Sequence, residues 1–326
     1  MMRNYVTIFY SNYLAKGLSL YYSLSKVSEN SYLYIVAMDD ECEKILDGSA
    51  LDKARIISLK DLESYYPSLL EAKKDRGKGE YSWTCKGPAV LYCIEKFGLE
   101  DCTYLDSDLF FFSNPEPLFA EDEKCDVILT PHRYTERYDL SESNGKYCAQ
   151  FMSFKSTENG LRILKWWSEE CIKWCYGRHE KGRFGDQKYL DFFQEKFGGV
   201  HDSENAGVCA PWNIQQYKVE RNSEGVYVDN GKQRSPLVFY HFHFLKNQDF
   251  GKYNELLLGP YKLNRAVREY IYKPYIQGLK RVTKEVDNKY STDVMASRKV
   301  SMSTLRLLMH VAKNILDSNK QIWKRR

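Results

Sequence analysis

Residues 103–115 read TYLDSDLFFFSNP, with two aspartates, Asp106 and Asp108, set one residue apart between an apolar run and an aromatic run. Two carboxylates at i and i+2 repel each other and cost desolvation, unless a cation or hydrogen bonds neutralise them. A hard divalent ion with oxygen ligands does this while keeping positions open for substrate phosphates. For an isolated Asp-x-Asp the plainer reading is a surface turn with two solvated acids. The surroundings argue for more: YL precedes the pair and LFFFSNP follows, with no polar loop on either side. Carboxylates embedded in apolar surroundings mark functional sites.

Outward from this pair, strand-like and helix-like segments alternate. YVTIFY (5–10), YLYIVAMDD (32–40) and ARIISL (54–59) read as strands, and LAKGLSLYYSLSKV, ECEKILDGSAL and GPAVLYCIEKFG (87–98) as helices. The last helix feeds CTYLDSD, so the aspartates stand at the C-terminal end of a fourth strand. Apolar strands separated by helices predict an α/β fold with a mostly parallel sheet covered on both faces. In open sheets of this kind, ligands bind at the carboxyl ends of the strands. Further on, CDVILTP (125–131) and AQFMSFKS read as strands, and YKVERNSEGVYVDNGK as a hairpin. In GLRILKWWSEECIKWCY, Leu164, Trp167, Cys171 and Trp174 fall at helical spacing and predict a core-facing stripe. LVFYHFHF reads as a strand with His241 and His243 on one face, either a metal-type pair or packed core histidines. Beyond Gly251 only helices are expected, over GPYKLNRAVREYIYKPYIQGLKRV and STLRLLMHVAKNILDSNKQIWKRR.

The 326 residues suffice for one large α/β domain with an appendage, or for two domains. The 26 tyrosines and 16 phenylalanines supply stacking surfaces or a ring-rich core. No apolar run reaches membrane-spanning length, and the N-terminus enters a strand without the apolar segment of a secretory signal. The nine cysteines show no CxxC and no metal-type spacing; Cys171 and Cys175 read as small buried hydrophobes. Reduced thiols and a missing signal predict a cytoplasmic protein.

Charge is uneven. Residues 261–326 carry 16 Lys and Arg against 5 Asp and Glu, whereas residues 1–260 carry 32 against 39. A basic tail on an acidic body points to a polyanionic partner. No nucleic-acid motif accompanies the charge, so nucleic acid is not the expected partner. Leu305, Leu308, Met309, Ala312, Ile315 and Leu316 share one helical face, and Arg306, Lys313, Lys320, Lys324, Arg325 and Arg326 supply the charge. Such a helix either lies on an anionic membrane surface or packs on its own domain or a sister subunit.

With these residues in place, the chain resembles the GT-A-type nucleotide-sugar glycosyltransferases. More closely, it is similar to bacterial relatives of the glycogenin and lipopolysaccharide galactosyltransferase group. The resemblance spans roughly residues 5–285 and rests on an ordered set: EYSWTCKGPAVLYCIEKFG, TYLDSDLFFFSNPEPLF, KWWSEECIKWCY, FGDQKYLDFF, APWN and FYHFHFLK. It implies a GT-A (Rossmann-like) mixed, mostly parallel sheet flanked by helices, with a transferase domain over 1–250 and a basic helical extension over 251–326. It further implies that Asp106 and Asp108 hold Mn²⁺ or Mg²⁺, with His241 completing the shell and His243 as second choice. Tyr10, Ser11, Asn12, Tyr13 and Asp39 match positions that hold base and ribose, Ser107 and Lys246 positions near the phosphates, and Lys86 a position near the phosphates or the donor sugar. Asp186 and Gln187 match the catalytic pair facing the sugar, and Trp212 and Asn213 an acceptor contact. One departure is Tyr147-Cys148-Ala149-Gln150, where such proteins commonly carry an Asn-Val-Gly type stretch that lines the sugar site.

The implied activity is metal-dependent transfer from a nucleotide-diphosphate sugar, UDP-linked and with retention, to a glycan or lipid-linked acceptor in cell-surface polysaccharide biosynthesis. The place of work would be the inner face of the membrane. The chemistry agrees: the leaving diphosphate gains negative charge, which a metal and a lysine offset. The sugar gains oxocarbenium character, which Asp186 and Gln187 can stabilise. Plainer readings stand beside these: a helix start for Asp186, surface charges for Lys86 and Asp39, a turn with a packed ring for Trp212 and Asn213. Two other functions are open. A haloacid-dehalogenase-like phosphohydrolase would use Asp106 as nucleophile, but it expects Thr or Val where Phe110 stands and places its motif nearer the domain start. A non-catalytic, membrane-associated binder of nucleotide sugars is the third.

Overall fold

The computed structural model describes residues 2–249, 253–290, 297–299 and 320–324. Strands β1 (Arg3–Phe9), β2 (Ser31–Ala37), β3 (Ala54–Ser58), β4 (Asp101–Leu105), β5 (Leu109–Phe111), β6 (Val127–Pro131), β7 (Tyr147–Lys155) and β8 (Val200–Asp202) come first along the chain. Seven of them form one sheet in the order β3-β2-β1-β4-β7-β6-β8. The strands from β3 to β4 run parallel, β7 is antiparallel to both its neighbours, and β8 is parallel to β6. This is the expected mixed, mostly parallel sheet. Successive side chains of β1 enter different cores: Tyr5 and Phe9 lie in one, Val6 and Ile8 in the other. A strand buried on both faces needs apolar residues at consecutive positions, which is why YVTIF reads as an unbroken run.

Helices cover both faces. Lys78–Phe97 starts where Glu80 accepts from the Gly77 amide and ends at Gly98 in the left-handed region, φ 64°. It crosses Glu158–Lys173 at Gly87, where a Cβ would fall 2.5 Å from Ser168 Oγ and 3.1 Å from Ser168 Cα. Only glycine permits that approach, and it sets the depth at which the neighbouring Lys86 enters the protein. The expected stripe Leu164, Trp167, Cys171 and Trp174 is buried, and all nine cysteines are free and buried.

After β8 come β9 (Val208–Cys209), the expected hairpin β10 (Lys218–Arg221) and β11 (Val226–Asp229), then β12 (Arg234–Pro236) and β13 (Phe239–His241). β13 lies between β5 and β9 in a small sheet of its own. The strand expected through LVFYHFHF therefore stops at His241. Beyond it the chain turns, with Phe244 at φ 63°, and His243 loses its place beside His241 on one strand face.

The expectation of helices only beyond Gly251 is corrected. β14 (Lys246–Asp249), β15 (Tyr253–Leu257), β16 (Ser297–Lys299) and β17 (Lys320–Lys324) form a sheet in the order β16-β14-β15-β17. Residues 320–324, read as the end of a basic helix, are a strand because they pair antiparallel with β15, and such pairing overrides weak local preference. The rest of that expected helix, 303–319 and 325–326, lies outside the described residues. The helix Lys273–Tyr290 does form, and its buried Tyr275, Ile276, Leu279, Val282 and Val286 share a core with the helix Leu14–Val27. Among the described residues no helix is long and apolar enough to cross a membrane.

Candidate functional site

β4 delivers the two aspartates at its carboxyl end. The Asp106 amide donates to the Gln150 carbonyl on β7 (2.8 Å), and the Leu109 amide donates back to the Asp106 carbonyl (3.1 Å), closing a tight turn. The aromatic run then pairs as β5 with β13 in the register Leu109↔His241, and the Phe242 amide donates to the Asp108 carbonyl (3.0 Å). Backbone pairing thus sets His241 against the aspartates. Asp106, Asp108 and His241 each present a ligand atom, all within 4.8 Å of one another. His241 Nε2 lies 3.0 Å from Asp108 Oδ1 and 4.0 Å from Asp106 Oδ2.

The donor set fits a divalent cation. His241 Nδ1 sits 2.7 Å from Gln150 Oε1, an acceptor, so in the neutral ring Nδ1 carries the hydrogen and Nε2 turns a lone pair toward the carboxylates. Lone pairs on nitrogen and carboxylate oxygen face each other without repulsion when a cation lies between them. Two carboxylates and one imidazole can together hold a divalent cation. His243 is not part of this group. Its ring centroid lies 5.6 Å from that of His241 and 5.4 Å from that of Trp212, and burial with the neighbouring His241 lowers its pKa to about 4.

Two lysines surround the aspartates. Lys86 Nζ lies 2.8 Å from Asp106 Oδ1, 3.0 Å from Asp186 Oδ2 and 2.9 Å from the Ala149 carbonyl oxygen. Only 5% exposed, it is no ordinary surface charge. Burial works against its charge, yet Asp106 and Asp186 outweigh that and hold its pKa well above the ordinary value. Asp186 is raised above the usual carboxylate range by burial, against the pull of Lys86. Lys16 Nζ lies 3.6 Å from Asp108 Oδ2. Burial opposes ionisation of Asp108, but the His241 ring, in its protonated form, and the Lys16 ammonium hold it well below the usual range. The Tyr104 hydroxyl donates to Asp106 Oδ1 (3.1 Å). Three carboxylates against two ammonium groups leave the site acidic, and one divalent ion reverses that sign.

The other expected residues are spread around this centre. At the end of β2, Asp39 caps the helix Asp40–Asp47 through the Cys42 amide and accepts from the Ser11 amide and hydroxyl at 3.2 and 3.0 Å. That ties the loop of Tyr10, Ser11, Asn12 and Tyr13 to the carboxyl edge of β1 and β2. Lys16 Nζ lies 4.5 Å above the exposed Tyr13 ring, which links this loop to Asp108. Ser107 is buried between the aspartates. Asp186 is not a helix cap: its carboxylate pairs with Lys86 and its carbonyl accepts from Trp167 Nε1. Gln187 Nε2 donates to the Asn144 carbonyl (2.8 Å). Lys246 is exposed at the start of β14, with Nζ 5.1 Å from the Phe244 ring.

Trp212 and Asn213 build a turn. Trp212 Nε1 and Asn213 Nδ2 both donate to the His132 carbonyl (3.0 and 2.9 Å), and Asn213 Oδ1 accepts from the Ala210 amide. Three site residues escape sequence reading. Lys16 and Tyr104 carry no local signal. Gln150 lies in the departing stretch Tyr147–Gln150, where the irregularity itself was the available clue.

No family model matches the chain. Two proteins of Bacillus subtilis (strain 168) are similar in sequence, and both are named as uncharacterized. YfnF is 33% identical over 252 residues, 74% of this chain and 81% of YfnF. YfnD is 30% identical over 293 residues, 88% of this chain and 92% of YfnD. Among solved structures, the galactosyltransferase LgtC in complex with donor and acceptor sugar analogs matches at TM-score 0.53 and 13% identity, covering 88% of this chain and 99% of LgtC. The GT-A fold implied by the ordered motifs is the fold observed.

Proposed function

The chain belongs to the family of YfnF and YfnD of Bacillus subtilis, and we propose that it is a metal-dependent glycosyltransferase using a nucleotide-diphosphate sugar. The observation that carries this reading is the convergence of Asp106, Asp108 and His241 at the end of β4, beside the buried Lys86–Asp186 pair. LgtC, whose fold the chain shares, is a galactosyltransferase solved with donor and acceptor sugar analogs, which supports the same use here.

A divalent ion held by Asp106, Asp108 and His241 supplies positive charge for the donor's diphosphate. The loop from Tyr10 to Tyr13 takes the base, with the exposed Tyr13 ring as a stacking surface, and Asp39 lies next to the ribose. Lys16 and Lys246 lie on the phosphate side. Lys86 holds Asp186 ionised and in place beside the sugar, where positive charge develops as the glycosidic bond to phosphate breaks. Gln187 follows it on the same turn. UDP as the nucleotide and retention at the anomeric carbon follow the resemblance. A glycan or lipid-linked acceptor of cell-surface polysaccharide, met at the inner membrane face, accords with the basic tail; the free cysteines accord with a reducing compartment.

The phosphohydrolase reading needs Asp106 free to attack, whereas Lys86 and Tyr104 hold its Oδ1 as they would a fixed ligand. Calorimetric titration of UDP with and without Mn²⁺ tests the proposal. Wild-type protein should bind UDP only with the ion, and Asp108→Ala should lose that binding. Equal UDP binding by both proteins without any ion would overturn it.

A further inference from the structure

We propose that Gln150 is a positioning residue that makes His241 a metal ligand, by fixing its tautomer through a hydrogen-bond relay anchored at a backbone carbonyl. The inference rests on the metal reading above and adds a residue to it.

The Phe151 carbonyl can only accept, so the Thr130 hydroxyl, 3.3 Å away, donates its single hydrogen there. The hydroxyl oxygen then has lone pairs alone to offer, and Gln150 Nε2 donates to it at 3.4 Å. With its amide nitrogen turned to Thr130, Gln150 aims Oε1 at His241 Nδ1, 2.7 Å away. An acceptor at that place requires Nδ1–H, which leaves Nε2 bare toward Asp108. A flipped amide would reverse everything. Its nitrogen would face Nδ1, the ring proton would move to Nε2, and His241 would donate to Asp108 instead of binding an ion. That flip would also set Gln150 Oε1 against a hydroxyl whose hydrogen is already committed. Gln150 and Thr130 are 2% and 0% exposed, so water does not substitute for either partner.

The backbone shows why Gln150 reaches this place. Leu129 pairs with Met152, but the next residue, Thr130, pairs with Cys148, so β7 carries Ala149, Gln150 and Phe151 between two consecutive partners on β6. Such irregularities re-aim side chains next to sites. Through its carbonyl, the same residue also holds the Asp106 amide (2.8 Å). One bulged residue thus orients two of the three ligands.

The test uses the full chain and measures Mn²⁺ affinity by electron paramagnetic resonance, together with imidazole ¹⁵N shifts of the metal-free protein. Wild type should show the Nδ1–H tautomer at His241. Gln150→Leu should bind Mn²⁺ about 10–100-fold more weakly, the usual cost of removing a partner that orients a ligand, and should lose that tautomer. Gln150→Glu keeps an acceptor and should restore both readouts. Thr130→Val, which leaves Gln150 in place but frees its amide to flip, should weaken Mn²⁺ binding in the same direction and decides the matter if Gln150→Leu does not fold. Wild-type Mn²⁺ affinity and an Nδ1–H ring in Gln150→Leu or Thr130→Val would overturn the relay. Failure of wild type to bind Mn²⁺ would overturn the metal reading by itself, and the ring shifts would still judge the relay.

Discussion

Lys86 shows how much of the site depends on one side chain. Its ammonium lies between Asp106 and Asp186 with little access to water, so removing it leaves two carboxylates facing each other in a poor solvent. Breaking a buried ion pair from one side costs about 3–5 kcal/mol. Lys86→Met should lower stability by that order in a denaturant titration and abolish turnover, whereas Lys16→Met, removing a longer contact, should spare stability. His132 makes a second test. Its Nδ1 faces the Gly145 and Lys146 carbonyls, and burial lowers its pKa to about 3. The unfolded chain takes up that proton near pH 6.5 and the folded chain does not. The stability from neutral His132 is therefore complete above about pH 6.5 and is lost as pH falls toward 3, by at most roughly 1.4 kcal/mol per pH unit. His132→Asn keeps a donor for the carbonyls without the titration, and its melting temperature should fall less steeply over that window.

At the scale of elements, the short β13 decides between the two histidines. Its pairing with β5 ends at His241, and the turn that follows removes His243 from the metal group. His241→Ala should lose most Mn²⁺ affinity in a titration, and His243→Ala should keep it. The crossing of Lys78–Phe97 and Glu158–Lys173 gives another expectation. A methyl group at Gly87 would press on Ser168 and push away the helix that carries Lys86. Gly87→Ala should cost about 1–3 kcal/mol, the usual range for overpacking, and weaken donor binding together with stability. The helix Glu158–Lys173 was legible from its 3.6-residue stripe, and the apolar run 87–98 showed only the C-terminal half of Lys78–Phe97. Their closeness was not legible, since a glycine in a helix looks the same whether it faces water or another helix.

For the whole molecule, the acidic body and the basic segment past residue 260 set the surface field. β16 and β17 belong to the sheet of β14 and β15, so cutting the chain before Ser297 would strip partners from that sheet as well as charge. Substitution is the better test. Arg306→Gln with Lys313→Gln should reduce flotation with anionic liposomes at low salt, at about 1 kcal/mol for each basic residue near the surface. Unchanged flotation would sink the membrane proposal.

The residues alone determined the α/β class, the buried parallel strands and the placing of Asp106 and Asp108 at a strand end. Each of these follows from periods and neighbours within one short stretch, where burial on one face or two writes itself into consecutive positions. Tertiary structure alone supplied the register that sets His241, already favoured by the resemblance, against the aspartates, and it alone decided that Lys16 and Gln150 stand beside them and that residues 320–324 are a strand. Those outcomes depend on hydrogen-bond registers between segments far apart in the chain: Gln150 and His241 are separated by 91 positions. Local periodicity carries no information about such pairings, because the partner that satisfies a backbone or a ring nitrogen is chosen only when the sheet closes.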